Sequence, residues 1–339
     1  MPFQIIRSDI TKVRADVIVN TANPKPLTGS GTDSAVYAAA GAAELLAERR
    51  KIGDIQPGKA AATSAFRLPA KYIIHTVGPA WIDGSRGEKE TLRACYANTF
   101  ALAEELKAES IAFPLISAGA YGFPKEEALE IALSEIGRFL LLHEMKVILV
   151  VFGEKEFALS EKLVGSVEAF LDEHQVRKLE LTEYPDRKKR SAGRRGNSAN
   201  HYPINHDHYG NDPESGTFTL EQMLRENGET FQQRLFRLID ASGMDDVTVY
   251  KKANIDRKVF SSIRCKKDYK PSKKTAVAFA AALELPMPEL LGLLSCAGIA
   301  LSQSDRFDLI ISYCFQNGIY DIYKINALLF QYEQPLLGA

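Results

Sequence analysis

The sequence is poor in everything that would mark a secreted, membrane or metal protein. Four cysteines (Cys95, Cys265, Cys296 and Cys314) are scattered over 339 residues, with no Cys-x-x-Cys pair and no Cys/His cluster. That usage excludes a disulfide framework or a zinc site of ordinary spacing, and reads as reduced structural thiols of a cytoplasmic protein. No apolar run approaches the ~20 residues a membrane helix needs, so no membrane partner is expected. The opening stretch, MPFQIIRSDITK, lacks the charged head, apolar core and small-residue cleavage site of a leader peptide. Of the six histidines, four (His174, His201, His206, His208) fall in or beside one polar stretch without a cysteine or carboxylate frame. They imply no metal, and no motif implies a cofactor. A net charge of −1 selects no highly charged partner for the chain as a whole. What is present, 45% hydrophobic and 25% charged residues, is the composition of a soluble globular protein. The length suits two domains at roughly 100–200 residues each.

Up to about residue 175, strand-like runs alternate with helical spacing. Strands are expected at 3–6, 16–20, 72–76, 110–116 and 146–152, and helices near 33–50, 88–107, 124–143 and 160–174. The runs at 110–116 and 146–152 are apolar almost throughout, as strands covered on both faces are. The expected fold class is therefore α/β, a layered domain with one mixed sheet. Residues 176–216 are dense in Gly, Ser, Asn, Asp and Pro and nearly free of aliphatic side chains, and read as a mobile linker with a basic stretch from Arg187 to Arg195. That stretch reads as solvated, with contact to nucleic acid as its alternative. From 217 to 339 the spacing is helical throughout, with helices near 217–227, 229–242, 246–253, 257–265, 272–284, 287–297, 302–317 and 321–331. This second domain is expected to be all-α.

Two glycine-rich loops leave strands and enter helices in the first domain: Gly29-Ser30-Gly31 before Asp33, and Ser117-Ala118-Gly119-Ala120-Tyr121-Gly122 before Pro124. Open α/β sheets bind ligands at the carboxyl ends of their strands. Glycine lets the backbone approach an anion, and helix N-termini favour negative charge. Two such loops in one small domain point to a phosphate-bearing ligand.

Six segments in order bring a family into view: SDIT (8–11), IVNTAN (18–23), GSGTDSAVYAAAG (29–41), KYIIHTVGP (71–79), IAFPLISAGAYGFP (111–124) and ILVVF (148–152). Residues 1–175 resemble a macro domain, the ADP-ribose-binding module, along nearly their whole length. The resemblance implies a three-layer α/β/α fold with a mixed sheet and a cleft for ADP-ribose or an ADP-ribosylated substrate. By that resemblance Asp9, followed by Ile10, accepts from the adenine amino group, with an N-cap role as its alternative. Gly29, Ser30, Gly31 and Thr32 form one diphosphate cradle, and Ser117 to Gly122 the other. Phe152 packs on adenine or belongs to the core. Asn23 positions the distal ribose and Asp33 activates a water for hydrolysis, with an N-cap role for Asp33 as the alternative. The sequence departs from the hydrolytic pattern in the altered glycine run and in Tyr37, which stands where a His is common. Two readings therefore stay open: an ADP-ribosyl hydrolase, or a sensor that binds ADP-ribose without turnover.

Residues 232–291 resemble the helix-turn-helix core of repressor-like proteins, with a tight turn at Asn254-Ile255. Between 251 and 274 there are ten Lys or Arg against two acids, while the rest of 217–339 carries five basic and twelve acidic residues. A basic face confined to one helix is the footprint of phosphate contacts. Arg257, Lys258, Ser261, Ser262, Arg264, Lys266 and Lys267 are the candidates for contact with DNA, and a protein-binding face is the alternative.

Overall fold

Period-two alternation sorts the strand residues to two faces. The computed structural model describes residues 2–153, 157–183, 228–266 and 269–338. Six strands, β1 (Phe3–Arg7), β2 (Val17–Thr21), β3 (Ala60–Ser64), β4 (Tyr72–Thr76), β5 (Ser110–Pro114) and β6 (Lys146–Val151), form one sheet in the order β1-β6-β5-β2-β4-β3. All pairings are parallel except β3 with β4. Ile18, Ile73, Ala112, Ile148 and Val150 face α1 (Thr32–Ala40) and α2 (Ala42–Ile52), where they meet Val36, Tyr37, Ala40 and Leu45. Val17, Val19, Ile74, Ile111, Phe113, Val147 and Leu149 face the other way, against α3 (Glu88–Glu105) and α4 (Lys125–Leu142). The result is the expected three-layer α/β/α domain with a mixed sheet.

Several details differ from expectation. The helix expected over 33–50 is two helices, because Gly41 adopts φ 110°, outside the helical region, and interrupts the ladder. β3, reading Ala-Ala-Ala-Thr-Ser, was not anticipated, since alanine favours helix and the strand forms by pairing with β4. Helix α5 runs over Glu161–Glu183, through residues expected to open the linker, and Leu171, Val176, Leu179 and Leu181 lie along it. The basic stretch, His201, His206, His208 and the helix expected at 217–227 lie outside the described residues.

Beyond them come α6 (Phe231–Ser242), α7 (Asp246–Lys252), α8 (Arg257–Cys265), α9 (Lys273–Ala282), α10 (Met287–Cys296), α11 (Arg306–Gln316) and α12 (Ile322–Gln331). The described part of this region is helical. Side-chain oxygens cap six of these helices: Thr230, Asp245, Asp256, Ser272, Asp305 and Asp321.

The helical region packs against the edge strand β1 and helices α4 and α5, and its core is continuous with that face of the sheet. Asn254, between α7 and α8, acts as a substitute strand residue. Its Oδ1 accepts from Phe3 N at 2.8 Å, and its Nδ2 donates to Phe3 O at 3.0 Å and to Leu337 O at 3.4 Å. The Tyr323 ring lies edge-on to Phe3 at 5.2 Å, and an added Cβ at Gly137 would come 2.9 Å from the Tyr323 ring. Phe157 meets Phe330 and Phe170 meets Tyr313 edge-on, while Tyr250 Oη donates to Glu144. The aromatic tail over 302–339 thus completes a core shared by both regions.

Candidate functional site

The cleft sits at the carboxyl ends of β2, β5 and β6 and has a volume of about 520 Å³. It gathers nearly all the residues expected there: Asp9, Ile10, Asn23, Gly29 to Asp33, Ser117 to Tyr121 and Phe152. Gly122 is not on the wall. Its N–H returns to Gly119 O at 2.9 Å and its φ of 67° closes the turn.

Asp33 opens the first turn of α1 and is 2% exposed, so the helix and its loop hold the carboxylate at the cleft floor. Gly31 is the helix N-cap, and Asp33 is not. Gly29 N donates to Asp33 Oδ2 at 2.5 Å and Asn20 Nδ2 donates to Oδ1 at 2.6 Å. An ionised carboxylate offers about four acceptor positions, so two remain for a ligand or water. Burial raises the Asp33 pKa above the ordinary aspartate value, and the Gly29 and Asn20 hydrogen bonds and the Arg49 charge only partly offset it.

Asn23 lines the cleft, but its Oδ1 accepts from Lys25 N at 3.0 Å. The asparagine that touches Asp33 is Asn20, three residues earlier in the same IVNTAN run. Arg49, 1% exposed, holds the Asn23 loop: its guanidinium donates to Gly53 O, to Asn23 O at 3.3 Å and to Pro24 O at 3.2 Å. Sequence reasoning missed Arg49, because an arginine in LAERRKI looks like one of several solvated helix charges. His75, in the middle of β4, was missed as a functional residue. It lies 3.1 Å from Asn20 Nδ2 through Nδ1 and 2.9 Å from Thr63 Oγ1 through Nε2.

Asp9 caps the short 3₁₀ helix Ile10–Lys12: its Oδ1 accepts from Thr11 N at 2.9 Å and Thr11 Oγ1 at 2.7 Å. The N-cap alternative is realised, and Asp9 lies on the cleft wall as well. The Thr11 hydroxyl bond lowers its pKa, outweighing the opposing effect of burial. Tyr37 does not line the cleft. It is 2% exposed in the core beneath α1, its ring centroid 6.5 Å from that of His75. Phe152 is 69% exposed on the cleft wall, so it is not core.

The second cradle is shaped by a close approach. Ser117 adopts φ 62°, and a Cβ on Gly78 would collide with Ser117 Oγ and sit 3.0 Å from Ile116 Cγ2. Only glycine lets the two loops meet. Trp81 N donates to Tyr121 O at 2.8 Å, tying the loop after β4 to this cradle. Glu88 gathers the N–H groups of Ile82, Asp83, Gly84 and Arg86. Burial works against its charge, yet those bonds bring its pKa down to about 2. Among the described residues no His, Cys, Asp and Glu group could hold a metal, and no helix is long and apolar enough to cross a membrane.

On α8 the candidates Arg257, Lys258, Ser261 and Arg264 are exposed and Ser262 is half-buried, Lys266 at its C-cap is exposed, and Lys267 lies outside the described residues. Part of the local charge is consumed. Lys251 pairs with Glu144, Lys252 with Glu284, Arg264 with Asp246 and Lys273 with Asp308.

The model of the macro domain family matches residues 19–132. A macro domain-containing protein of Methanosarcina mazei is 49% identical over 142 residues, 42% of this chain and 75% of that protein. The O-acetyl-ADP-ribose deacetylase of Klebsiella pneumoniae is 45% identical over 168 residues, 48% of this chain and 96% of that enzyme. A solved Oceanobacillus iheyensis macrodomain with ADP has 40% identity and a TM-score of 0.44, covering 49% of this chain and 91% of that one. The chain belongs to the macro domain family.

Proposed function

We propose that the cleft binds ADP-ribose and hydrolyses a bond at its distal ribose, either an ADP-ribosyl linkage to a macromolecule or an acyl ester such as O-acetyl-ADP-ribose. The observation that carries this reading is Asp33: a buried carboxylate on the cleft floor, oriented by two donors and keeping free acceptor positions. The two glycine-rich loops carry backbone N–H groups suited to a diphosphate, Asp9 and Phe152 supply on the same wall a carboxylate and an exposed ring suited to an adenine, and Asn23 supplies an amide suited to a ribose. Asp33 then accepts a proton from the attacking water, which suits a reaction needing a base and no strong nucleophile. The name of the Klebsiella pneumoniae relative supports the ester as one substrate.

The test is incubation of the full chain with O-acetyl-ADP-ribose and with mono-ADP-ribosylated protein and nucleic acid, following free ADP-ribose. No release from any of them, with ADP-ribose still bound, leaves the sensor reading. Turnover should also show an acid limb. Below its pKa Asp33 carries a proton and cannot accept one from water. Because burial raises that pKa, the limb is expected above the ~3.9 of an ordinary aspartate.

A second reading concerns α7 and α8 as a helix-turn-helix that contacts DNA. Support comes from exposed Arg257 and Lys258 on one short helix and Lys266 at its C-cap, which form no ion pair among the described residues. The expected result is duplex DNA affinity that falls steeply with salt, by about 0.9 in log–log slope for each phosphate contacted. A flat salt dependence would assign α8 to a protein partner.

A further inference from the structure

We propose that His75 is a positioning residue for Asp33, acting through the Asn20 amide and held in one tautomer by Thr63. The inference rests on the hydrolytic reading of the cleft. Asn20 Nδ2 carries two hydrogens. One goes to Asp33 Oδ1 at 2.6 Å and the other faces His75 Nδ1 at 3.1 Å. His75 Nδ1 must therefore be a bare acceptor, which places the ring hydrogen on Nε2, 2.9 Å from Thr63 Oγ1. The opposite tautomer would set N–H against N–H. Flipping the amide instead would set its oxygen against an ionised carboxylate.

Asn20 Oδ1 is buried and has no hydrogen-bond partner among the described residues, so the Asp33 and His75 contacts are the hydrogen bonds that hold its plane. Asn20 and His75 are fully buried, with Thr63 and Asp33 nearly so. Water therefore does not replace a lost partner, and each bond counts for more than it would at the surface. Burial, with the Arg49 charge adding to it, lowers the His75 pKa to about 3, and the ring stays a neutral acceptor through the neutral range. The other charged or titratable groups acting on or near Asp33 are Arg49 from α2, Tyr37 from α1 and Tyr121 from the loop after β5. None of them contacts the Asn20 amide. Losing the His75 contact frees Asn20 to turn away and weakens a hydrogen bond that favours the ionised carboxylate, so the Asp33 pKa rises further.

The test compares full-length wild type, His75→Leu and His75→Gln, following the Asp33 carboxyl resonance through pH in aspartate-labelled protein, with turnover measured alongside. In His75→Leu the Asp33 midpoint is expected to rise by about one pH unit and kcat to fall about tenfold, each equivalent to about 1.4 kcal/mol, with KM unchanged. Glutamine can accept from Asn20 and donate to Thr63, so His75→Gln is expected to return the midpoint toward wild type. A folded His75→Leu protein with the wild-type midpoint overturns the proposal. Should that variant fail to fold, Thr63→Val keeps the ring but removes the tautomer lock. A smaller upward shift supports the proposal there, and no shift overturns it. The titration needs no turnover, so a chain that fails to hydrolyse any substrate refutes the hydrolytic reading and leaves the His75–Asp33 coupling separately decided.

Discussion

Asp33→Ala is expected to lower ADP-ribose release by at least about 100-fold, the lower range for losing a general base, while ADP-ribose affinity changes little. The separation of the two effects follows from the geometry. Asp9, Phe152 and the loop after β5 make no hydrogen bond to the Asp33 side chain, and in the first glycine-rich loop only Gly29 N–H loses its acceptor, whereas the oriented base at the cleft floor is removed outright. Alanine is a better probe than asparagine here. An amide at position 33 would have to present an NH₂ group to either Gly29 N–H or the Asn20 amide, both already donors. Asp33→Asn would therefore disturb the loop as well as the chemistry, and a fall in both affinity and rate is expected for it. Titration calorimetry with ADP-ribose beside a release assay tells the variants apart. Equal losses of binding and turnover in Asp33→Ala would show a structural cap and not a base.

Asn254→Ala is expected to cost about 3–7 kcal/mol of stability, through two buried backbone groups losing their partners at about 1–3 kcal/mol each and an alanine forced to positive φ at about 1 kcal/mol. Asn254 is fully buried at φ 54° and serves both the N–H and the C=O of Phe3. The variants at this position divide the loss. Asn254→Gly removes the strain of positive φ but not the orphaned groups, and so recovers about 1 kcal/mol. Asn254→Asp can still accept from Phe3 N but cannot donate to Phe3 O, and falls between. Thermal melts of the three variants check the order Asn, Asp, Gly, Ala. A wild-type melting temperature for Asn254→Ala would mean that the helical region does not rest on β1.

Much of the first domain is legible in the sequence because local pattern and tertiary role coincide there. The runs at 110–116 and 146–152 are apolar enough to announce buried strands, and the two glycine-rich loops announce an anion site. β3 is not legible, since three alanines carry no strand preference and only β4 organises them. Asn20 was in view, but nothing in IVNTAN says which asparagine faces the carboxylate; strand alternation points one inward and the loop turns the other onto Lys25 N. Arg49 and His75 act on residues 26 and 55 positions away, a relation no local window contains. Tyr37 was weighed as a stand-in for a common histidine, and its burial under α1 removes it from that role. The helical spacing of 231–331 was equally plain, but the face it turns to the first domain was not. Asn254 looked like an ordinary turn residue.

The Asn254 amide gives the sheet a stopper. A parallel sheet ending at β1 would offer a bare ladder of N–H and C=O groups, which is how unrelated chains come to stack edge to edge. Here the last rung at Phe3 is occupied by a side chain from the other half of the protein, and the Arg7 guanidinium at the far end pairs with Glu333 and lies over the Phe330 ring. In a fragment cut away after α5 the stopper is lost, and Phe3 and the Gly137 face that Tyr323 covers are expected to become exposed. In this chain the helical half covers the edge of the half that carries the cleft.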